Sequence, residues 1–217
     1  MPASTRRALG AVVAALGIIL VVVGAWIVVK LGPSGEASFS ATSKSPGAMV
    51  IPSDVLNAVD VPVHVTATRR DGGPVRLTVA QSTDAHAILG TSAVSTVSAV
   101  HYPAGTMDLR VSGAGALADI TRTDVWRVAL KEPGSAVMVV DQVRAPETVV
   151  VTSGDATALT DVTLTLSWAE RAWFFEALAI ATLGAVLAAF AMNDLWQGRV
   201  TTAHGDVVGA DTSEVTA

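Results

Sequence analysis

Residues 161–193 read DVTLTLSWAERAWFFEALAIATLGAVLAAFAMN, and this one stretch combines two different hydrophobic patterns. Up to Trp168 the apolar residues alternate with threonine and serine, which is typical of a half-buried strand. The 21 residues from Ala172 to Met192 are mostly apolar and contain one charged residue, Glu176. At ~1.5 Å per residue they are long enough to cross a hydrocarbon core of ~30 Å. The stretch therefore predicts a strand that leads into a membrane-spanning helix.

A second apolar run lies near the start of the chain. Residues 9–29, LGAVVAALGIILVVVGAWIVV, contain no charged residue. Arg6 and Arg7 precede the run and only Lys30 follows it, so the positive-inside rule places the N-terminus in the cytoplasm. A cleaved signal peptide is the alternative, but its apolar core is usually ~7–15 residues long and ends at a small-residue cleavage site. We expect an uncleaved signal-anchor.

The two runs divide the chain into six segments with an N-in, C-in topology in the cytoplasmic membrane. Trp168 and Trp173 at the outer end of the second helix, and Trp196 at its inner end, are placed like interfacial aromatic anchors. The predicted segments are a cytoplasmic N-terminus (1–8), transmembrane helix 1 (9–29), a Gly/Pro/Ser-rich linker (30–46), an extracytoplasmic β-sandwich-like domain (47–168), transmembrane helix 2 (169–196) and a disordered cytoplasmic tail (197–217).

Composition limits what the chain can bind. Apolar residues make up 51% and charged residues 15%, and the net charge is −5. Because phosphate binding needs clustered lysine and arginine, this charge argues against a nucleic-acid partner. The absence of cysteine excludes disulfides, thiolate metal sites and a cysteine nucleophile.

Period-two alternation recurs through the middle of the chain. The alternating stretches are residues 59–68, 75–79, 107–111, 124–130, 148–153 and 161–168. Residues rich in glycine, proline and aspartate separate them as turns, and residues 82–90 carry helix start and stop signals. The pattern predicts a mainly β domain, an antiparallel β-sandwich-like structure of seven to nine strands. Trp126 and Trp168 lie on the apolar sides of their strands and are expected to pack inward.

The sequence contains no familiar catalytic or metal-binding motif. It lacks G-x-S-x-G, H-E-x-x-H, phosphate-loop and calcium-loop patterns. Three histidines, His64, His86 and His101, lie in the outer domain and could supply metal ligands only if folding brought them together. Their simpler interpretation is as ordinary surface residues. We expect no catalytic residue, no cofactor and no metal, with an unrecognised envelope hydrolase as an alternative.

Small residues recur at helix-packing spacing in both apolar runs. They are Gly10, Ala14, Gly17 and Gly24 in the first run, and Ala177, Ala181, Gly184 and Ala188 in the second. Such a seam lets two helix backbones approach closely in lipid. We predict that the two spans pack along these seams, against each other, another membrane protein or a second copy. The alternative is that an alanine-rich sequence produces such rows of small residues by chance.

Glu176 is the single charged residue inside the second run. Ser167 and Glu170 fit a capping box, which predicts a helix that begins there. The 16 uncharged residues 177–192 span ~24 Å, less than a hydrocarbon core of ~30 Å. Glu176 is therefore expected at the outer interface, near Arg171. Two explanations for Glu176 are open: the interface tolerates it as a hydrated charge, or a partner recognises it.

Three stretches of the chain carry a resemblance to a known group. They are VPVHVTATRRDGGPVRLTVAQSTDAHAILG (61–90), DVWRVAL (124–130) and ETVVVTSGDATALTDVTLTLSW (147–168). Over roughly residues 50–190 the chain resembles uncharacterised actinobacterial membrane-anchored proteins with an extracytoplasmic β domain. The resemblance implies the same architecture and assigns no activity to any residue.

These observations favour a non-catalytic envelope protein. We expect it to present its β domain outside the membrane for binding, or to act as an accessory subunit of a membrane complex. An adhesion- or sensor-like module that signals through its spans is the first alternative, and an envelope hydrolase is the second. The expected partners are the lipid bilayer and other membrane proteins.

Overall fold

The computed structural model describes residues 3–117, 120, 123–141, 146–155 and 159–208. They form two compact units, one built from the residues up to Gly35 and from Arg171 onwards, the other from Glu36–Glu170. The helices are α1 (Ala3–Leu31), α2 (Ser53–Leu56), α3 (Ser82–Leu89) and α4 (Arg171–Val208). The strands are β1 (Glu36–Ser43), β2 (Ala48–Ile51), β3 (Val63–Arg69), β4 (Pro74–Gln81), β5 (Val94–His101), β6 (Thr106–Ser112), β7 (Val128–Pro133), β8 (Ser135–Val140), β9 (Glu147–Ser153) and β10 (Val162–Ala169).

The first unit is a pair of long apolar helices, α1 and α4. Residues 8–31 and 171–193 are long and apolar enough to cross a membrane, by length and composition. The two helices pack through small residues, and their large side chains, such as those of Leu9, Val22 and Phe190, point outward and are exposed. Among the side chains described in α1 and α4, the buried residues are glycine and alanine apart from Leu31.

The ends of α4 differ from the sequence prediction. The predicted capping residue Ser167 lies within β10, where the register places it opposite Ser38 on one side and His64 on the other. Because its backbone belongs to this sheet, it cannot cap a helix, and α4 begins at Arg171. At the other end α4 continues to Val208, so the disordered tail predicted from residue 197 is wrong for 197–208. Extending an existing helix adds a hydrogen bond per residue without a new nucleus.

The second unit is a ten-stranded sheet in the order β7-β4-β9-β2-β5-β6-β1-β10-β3-β8, nearly closed into a barrel. The mainly β prediction is confirmed. Two pairings are parallel, β2 with β5 and β1 with β6, so the expectation of seven to nine antiparallel strands is wrong in number and in these two pairs. The β1–β6 pairing consists of one registered pair, Ser40 and Thr106, and is the weakest link in the sheet order.

The predicted linker over residues 30–46 is wrong for residues 36–43. These residues form β1, which pairs with β10 along its whole length from Glu36 opposite Ala169 to Ser43 opposite Val162. The strand buries Phe39. Its other inward positions carry small residues, so the stretch has a linker-like composition but a strand-like alternation.

Alternation in β3 and β10 fills the interior of this unit. Val63, Val65 and Ala67 on β3 face inward with Leu164 and Leu166 on β10, and all five side chains are fully buried. In the antiparallel register Val65 lies opposite Leu166, Ala67 opposite Leu164, and Val63 opposite Trp168. Such cross-strand apolar pairs are the unit of sheet stabilisation, and they fix the register because a one-residue slip would expose every one of them.

The two tryptophans predicted to pack inward have different environments. Trp168 is 1% exposed and contacts Phe39 edge-on, with ring centroids 5.6 Å apart. Its inward packing is confirmed, and its alternative assignment as a membrane anchor is wrong. Trp126 precedes β7 and is half-buried against the cluster around Val150, with its indole N–H donating to the Ile120 carbonyl at 3.0 Å.

Candidate functional site

The sheet fails to close between β7 and β8, its two edge strands. The two strands are joined through Gly134, which has φ +72°, a conformation that favours glycine. The Gly134 N–H donates to the Gly73 carbonyl at 3.1 Å, and its carbonyl accepts from the Arg69 N–H at 2.9 Å. These bonds hold the β7–β8 connection against the β3–β4 turn. The edges are therefore fixed at this end of the sheet.

A cleft of about 350 Å³ lies between the two edges. This volume is within the range of ordinary ligand pockets, about 300–1,000 Å³. The cleft is lined by Val79, Arg127, Val128, Met138, Val139, Val140, Asp141 and Glu147. Five of these residues are apolar, and they come from both sides of the gap. The cleft is thus an apolar slot bordered by a few charges.

The charges of the cleft are not balanced. Arg127 forms an ion pair with Glu147, so these two lining residues neutralise each other. Asp141, one residue beyond the end of β8, is the third charged residue in the lining. The described lining residues therefore carry one net negative charge, which favours a positively charged group beside Asp141.

The free side of β8 exposes backbone hydrogen-bonding groups. The bond from the Arg69 N–H to the Gly134 carbonyl identifies a hydrogen-bonded pair at the start of the β3–β8 ladder. Such pairs alternate along an antiparallel ladder. Ala136, Met138 and Val140 therefore bond to β3. The alternate residues Ser135, Val137 and Val139 direct their N–H and C=O groups away from it.

The two edge strands differ in how they are protected. Native edge strands usually carry charges or proline, which discourage pairing with another chain. In β7 these protections are present as Lys131, Glu132 and Pro133. The β8 sequence SAVMVV has no charge and no proline, and its outward Val137 and Val139 are 55% and 54% exposed. Of these two strands, β8 is the one suited to pairing.

Three rows of side chains on the outer face next to β8 are uncharged except for a histidine. Three cross-strand rows of short side chains cover β1, β10, β3 and β8 in register: Ser38, Ser167, His64, Val139; Ser40, Thr165, Thr66, Val137; and Thr42, Thr163, Thr68, Ser135. Hydroxyl groups are hydrogen-bonded within the last row, between Thr42 and Thr163 at 3.0 Å and between Thr68 and Ser135 at 2.9 Å. These three rows contain no acidic residue, lysine or arginine that would repel an added strand.

The three histidines do not form a metal site in the described residues. His64 lies on the outer face of β3, His86 on α3, and His101 at the end of β5, and all three are exposed. His101 Nε2 lies 2.8 Å from the Asp108 carboxylate across the β5–β6 ladder. Among the residues that the structure describes, no group of three potential ligands could hold a metal ion.

The predicted helix seams meet in the α1–α4 contact. A Cβ added at Gly17 would lie 2.6 Å from the Ala188 nitrogen and 2.8 Å from the Gly184 carbonyl oxygen. One added at Gly24 would lie 2.7 Å from the Ala181 nitrogen. The remaining predicted positions agree in burial: Ala14, Ala177 and Ala188 are buried, and Gly10 and Ala181 are half-buried.

The predicted interface residues lie outside this seam. Glu176 and Arg171 are exposed, and Trp173 is half-buried. Glu176 lies five residues into α4, or ~7.5 Å from its first residue. Glu176 is therefore closer to the first residue of the helix than it would be if the helix began at Ser167. Its side chain is exposed rather than buried between α1 and α4.

A buried arginine stabilises the β3–β4 turn. The Arg69 guanidinium donates to both carboxylate oxygens of Asp71, at 2.9 and 2.6 Å, and to the Pro74 carbonyl at 3.2 Å, and it lies 3.5 Å from Asp155. The Gly73 N–H also donates to Asp71 at 2.9 Å. The Arg69 hydrogen bonds raise the pKa of Arg69 and, with the Gly73 N–H, lower the pKa of Asp71.

Replacing Arg69 with methionine is expected to lower the free energy of unfolding at pH 7 by about 1–3 kcal/mol. The substitution removes the charge-assisted hydrogen bonds to Asp71 and leaves the Pro74 carbonyl without its hydrogen bond from Arg69. Since the Asp71 pKa is lowered on folding, its contribution is present above the ordinary carboxyl pKa of ~4 and is lost as the pH falls through the lowered value. Urea unfolding of the full chain in detergent should therefore show a smaller loss near pH 2.5. An equal loss at both pH values would contradict this role.

Comparison with known proteins adds no functional assignment. No protein-family model matches the sequence, and no curated protein matches it. Among solved structures, a disulfide-linked pilus of Bacillus endospore appendages is 17% identical, with 62% of this chain and 84% of that chain covered and a TM-score of 0.23. A chain of the Mud Crab Dicistrovirus is 10% identical, with 65% of this chain and 77% of that chain covered and a TM-score of 0.23. The flagellar cap protein FliD of Escherichia coli is 11% identical, with 87% of this chain and 72% of that chain covered and a TM-score of 0.22. These TM-scores support no argument about fold or function.

Proposed function

We propose that this chain is a membrane-anchored envelope protein that presents one β domain outside the cytoplasmic membrane of a bacterium, with both termini in the cytoplasm. The observation that carries the proposal is the pair of apolar helices at the two ends of the chain. Gly and Ala positions such as Gly17 and Gly184 bring the two helices into close contact, while many of their large apolar side chains are exposed. Lipid is the solvent that suits such a surface.

The β domain supplies the binding function in this proposal. The apolar slot between β7 and β8 and the uncharged outer face beside it are surfaces suited to a partner. The protein acts by binding an envelope component or as an accessory subunit of a membrane complex. Glu176, outward on α4, favours the accessory role, because a carboxylate near lipid is stabilised when another helix covers it.

Membrane extraction tests the anchoring. After an alkaline carbonate wash of bacterial membranes, we expect the full chain to stay in the membrane pellet. A variant with Leu16→Arg and Leu183→Arg, both exposed in the helix pair, should appear in the supernatant or fail to accumulate in the membrane. Recovery of the unaltered chain in the wash would contradict anchoring by α1 and α4.

A further inference from the structure

The β8 edge and the cleft beside it point to a specific kind of partner. We propose that the open edge of the β domain binds an extended polypeptide segment of another protein, which adds as a strand to β8 and carries a lysine or arginine next to Asp141. This inference rests on the proposed function, because it names the partner class of the same β domain. It assigns the binding to backbone pairing rather than to a deep side-chain pocket.

Backbone geometry is the first support. The N–H and C=O groups of Ser135, Val137 and Val139 point away from β3, as the alternation of the β3–β8 ladder requires. No strand pairs with this side of β8 in the part of the chain that the structure describes. An added strand would satisfy these groups, which is the basis of recognition by strand addition.

The cleft lining is the second support. Side chains of a strand alternate between its two faces, so an added segment would direct every second residue into the slot. There they would meet Val79 and Val128 on one side and Met138 and Val140 on the other. The matching segment therefore has apolar residues at alternate positions. Short polar residues at the intervening positions would continue the hydroxyl rows of the outer face.

Charge selects between possible occupants. Arg127 is already paired with Glu147, so among the described lining residues the remaining charge is that of Asp141. A basic residue on the incoming segment would offset this charge, whereas an acidic one would be repelled. A second copy of this chain would present its own β8, which has no basic residue. The charge therefore favours a partner segment over self-pairing.

A peptide-binding experiment on the purified full chain in detergent tests this directly. The probe is a fluorescent peptide of alternating valine and threonine that ends in lysine, compared with the same peptide ending in glutamate. We expect the lysine peptide to bind at least threefold more tightly than the glutamate peptide. Asp141→Asn should remove this preference. Absence of saturable binding by either peptide would overturn the proposal.

A proline substitution separates backbone pairing from side-chain contact. Val137→Pro removes an N–H that points away from β3, so the β3–β8 ladder keeps its bonds. We expect it to weaken peptide binding at least tenfold. Val137→Thr keeps the N–H and the branched side chain and should change binding less than threefold. Equal binding by the proline variant and the unaltered chain would overturn strand addition.

Two further measurements cover misfolding and self-association. If Val137→Pro fails to fold, a peptide with alternate N-methylated amides replaces it, and retained affinity for that peptide would overturn the proposal. Val139→Cys tests the second copy, because the chain has no other cysteine. A disulfide-linked dimer that the lysine peptide cannot prevent would show that β8 pairs with itself and would also overturn it. Peptide binding and carbonate extraction are independent, so either can fail alone.

Discussion

Replacing Trp168 with alanine is expected to lower the free energy of unfolding by about 3–5 kcal/mol, the usual cost of removing a large aromatic side chain from a packed core. Trp168 is 1% exposed and lies on β10 between Ala37 of β1 and Val63 of β3. The cavity would open where two ladders meet, and the paired backbones on both sides limit its collapse. Chemical unfolding of the full chain in mild detergent, followed by tryptophan fluorescence and circular dichroism, measures the loss.

Two control variants make this result specific. Trp196 is 73% exposed on α4, so Trp196→Ala should change the free energy of unfolding by less than about 0.5 kcal/mol. Trp168→Phe should cost much less than alanine, because it keeps an aromatic ring beside Phe39. It also removes an indole N–H that is buried without a partner among the described residues. Equal losses for the two alanine variants would contradict the assignment of Trp168 to the core.

Replacing Gly17 with leucine is expected to separate α1 from α4. The added Cβ would meet three backbone atoms within 3.0 Å, belonging to Ala188 and Gly184. Backbone atoms of a helix cannot rotate away as a side chain can, so the helices must move apart. Overpacking of this kind typically costs about 1–3 kcal/mol, and the rigid contact places the expected loss at the upper end.

Ala15→Leu is the matched control for this substitution. Ala15 lies on the exposed side of α1, so the same added bulk should change the free energy of unfolding by less than about 0.5 kcal/mol. Gly184→Leu should reproduce the Gly17 effect. Because both variants disrupt one contact, the double variant should lose less than the sum of the two. A Gly17→Leu protein as stable as the Ala15→Leu protein would contradict close packing along the seam.

Sequence patterns predicted the strands in which large apolar residues alternate with polar ones. In β3 and β10, valine and leucine alternate with threonine and histidine, so strand and buried face could both be assigned. The strand β1 was missed because Ala37 and Ala41 beside Phe39 give little apolar contrast within a serine-rich stretch. The strand β8 was missed for the opposite reason, since SAVMVV is apolar at nearly every position and shows no alternation.

The candidate binding site could not be predicted from local sequence. An edge strand is defined by which strands lack a second neighbour, and that depends on pairings between distant residues. The parallel pairing of β2 with β5 is one such case, since Met49 lies opposite Ser95. The nearest sequence signal was the unprotected apolar run 135–140 placed after the charged and proline-containing run 131–133. This signal indicates a binding edge only because β7 and β8 are the two edge strands of the sheet.

The sidedness of the β domain is the central claim, and cysteine labelling tests it most directly because the chain has no natural cysteine. Ala87→Cys places a single thiol at an exposed position on α3, and Ser213→Cys places one near the C-terminus. On intact spheroplasts, a membrane-impermeant maleimide should label Ala87→Cys and should label Ser213→Cys only after the membrane is permeabilised. Labelling of Ser213→Cys in intact spheroplasts, with Ala87→Cys protected until permeabilisation, would contradict the account.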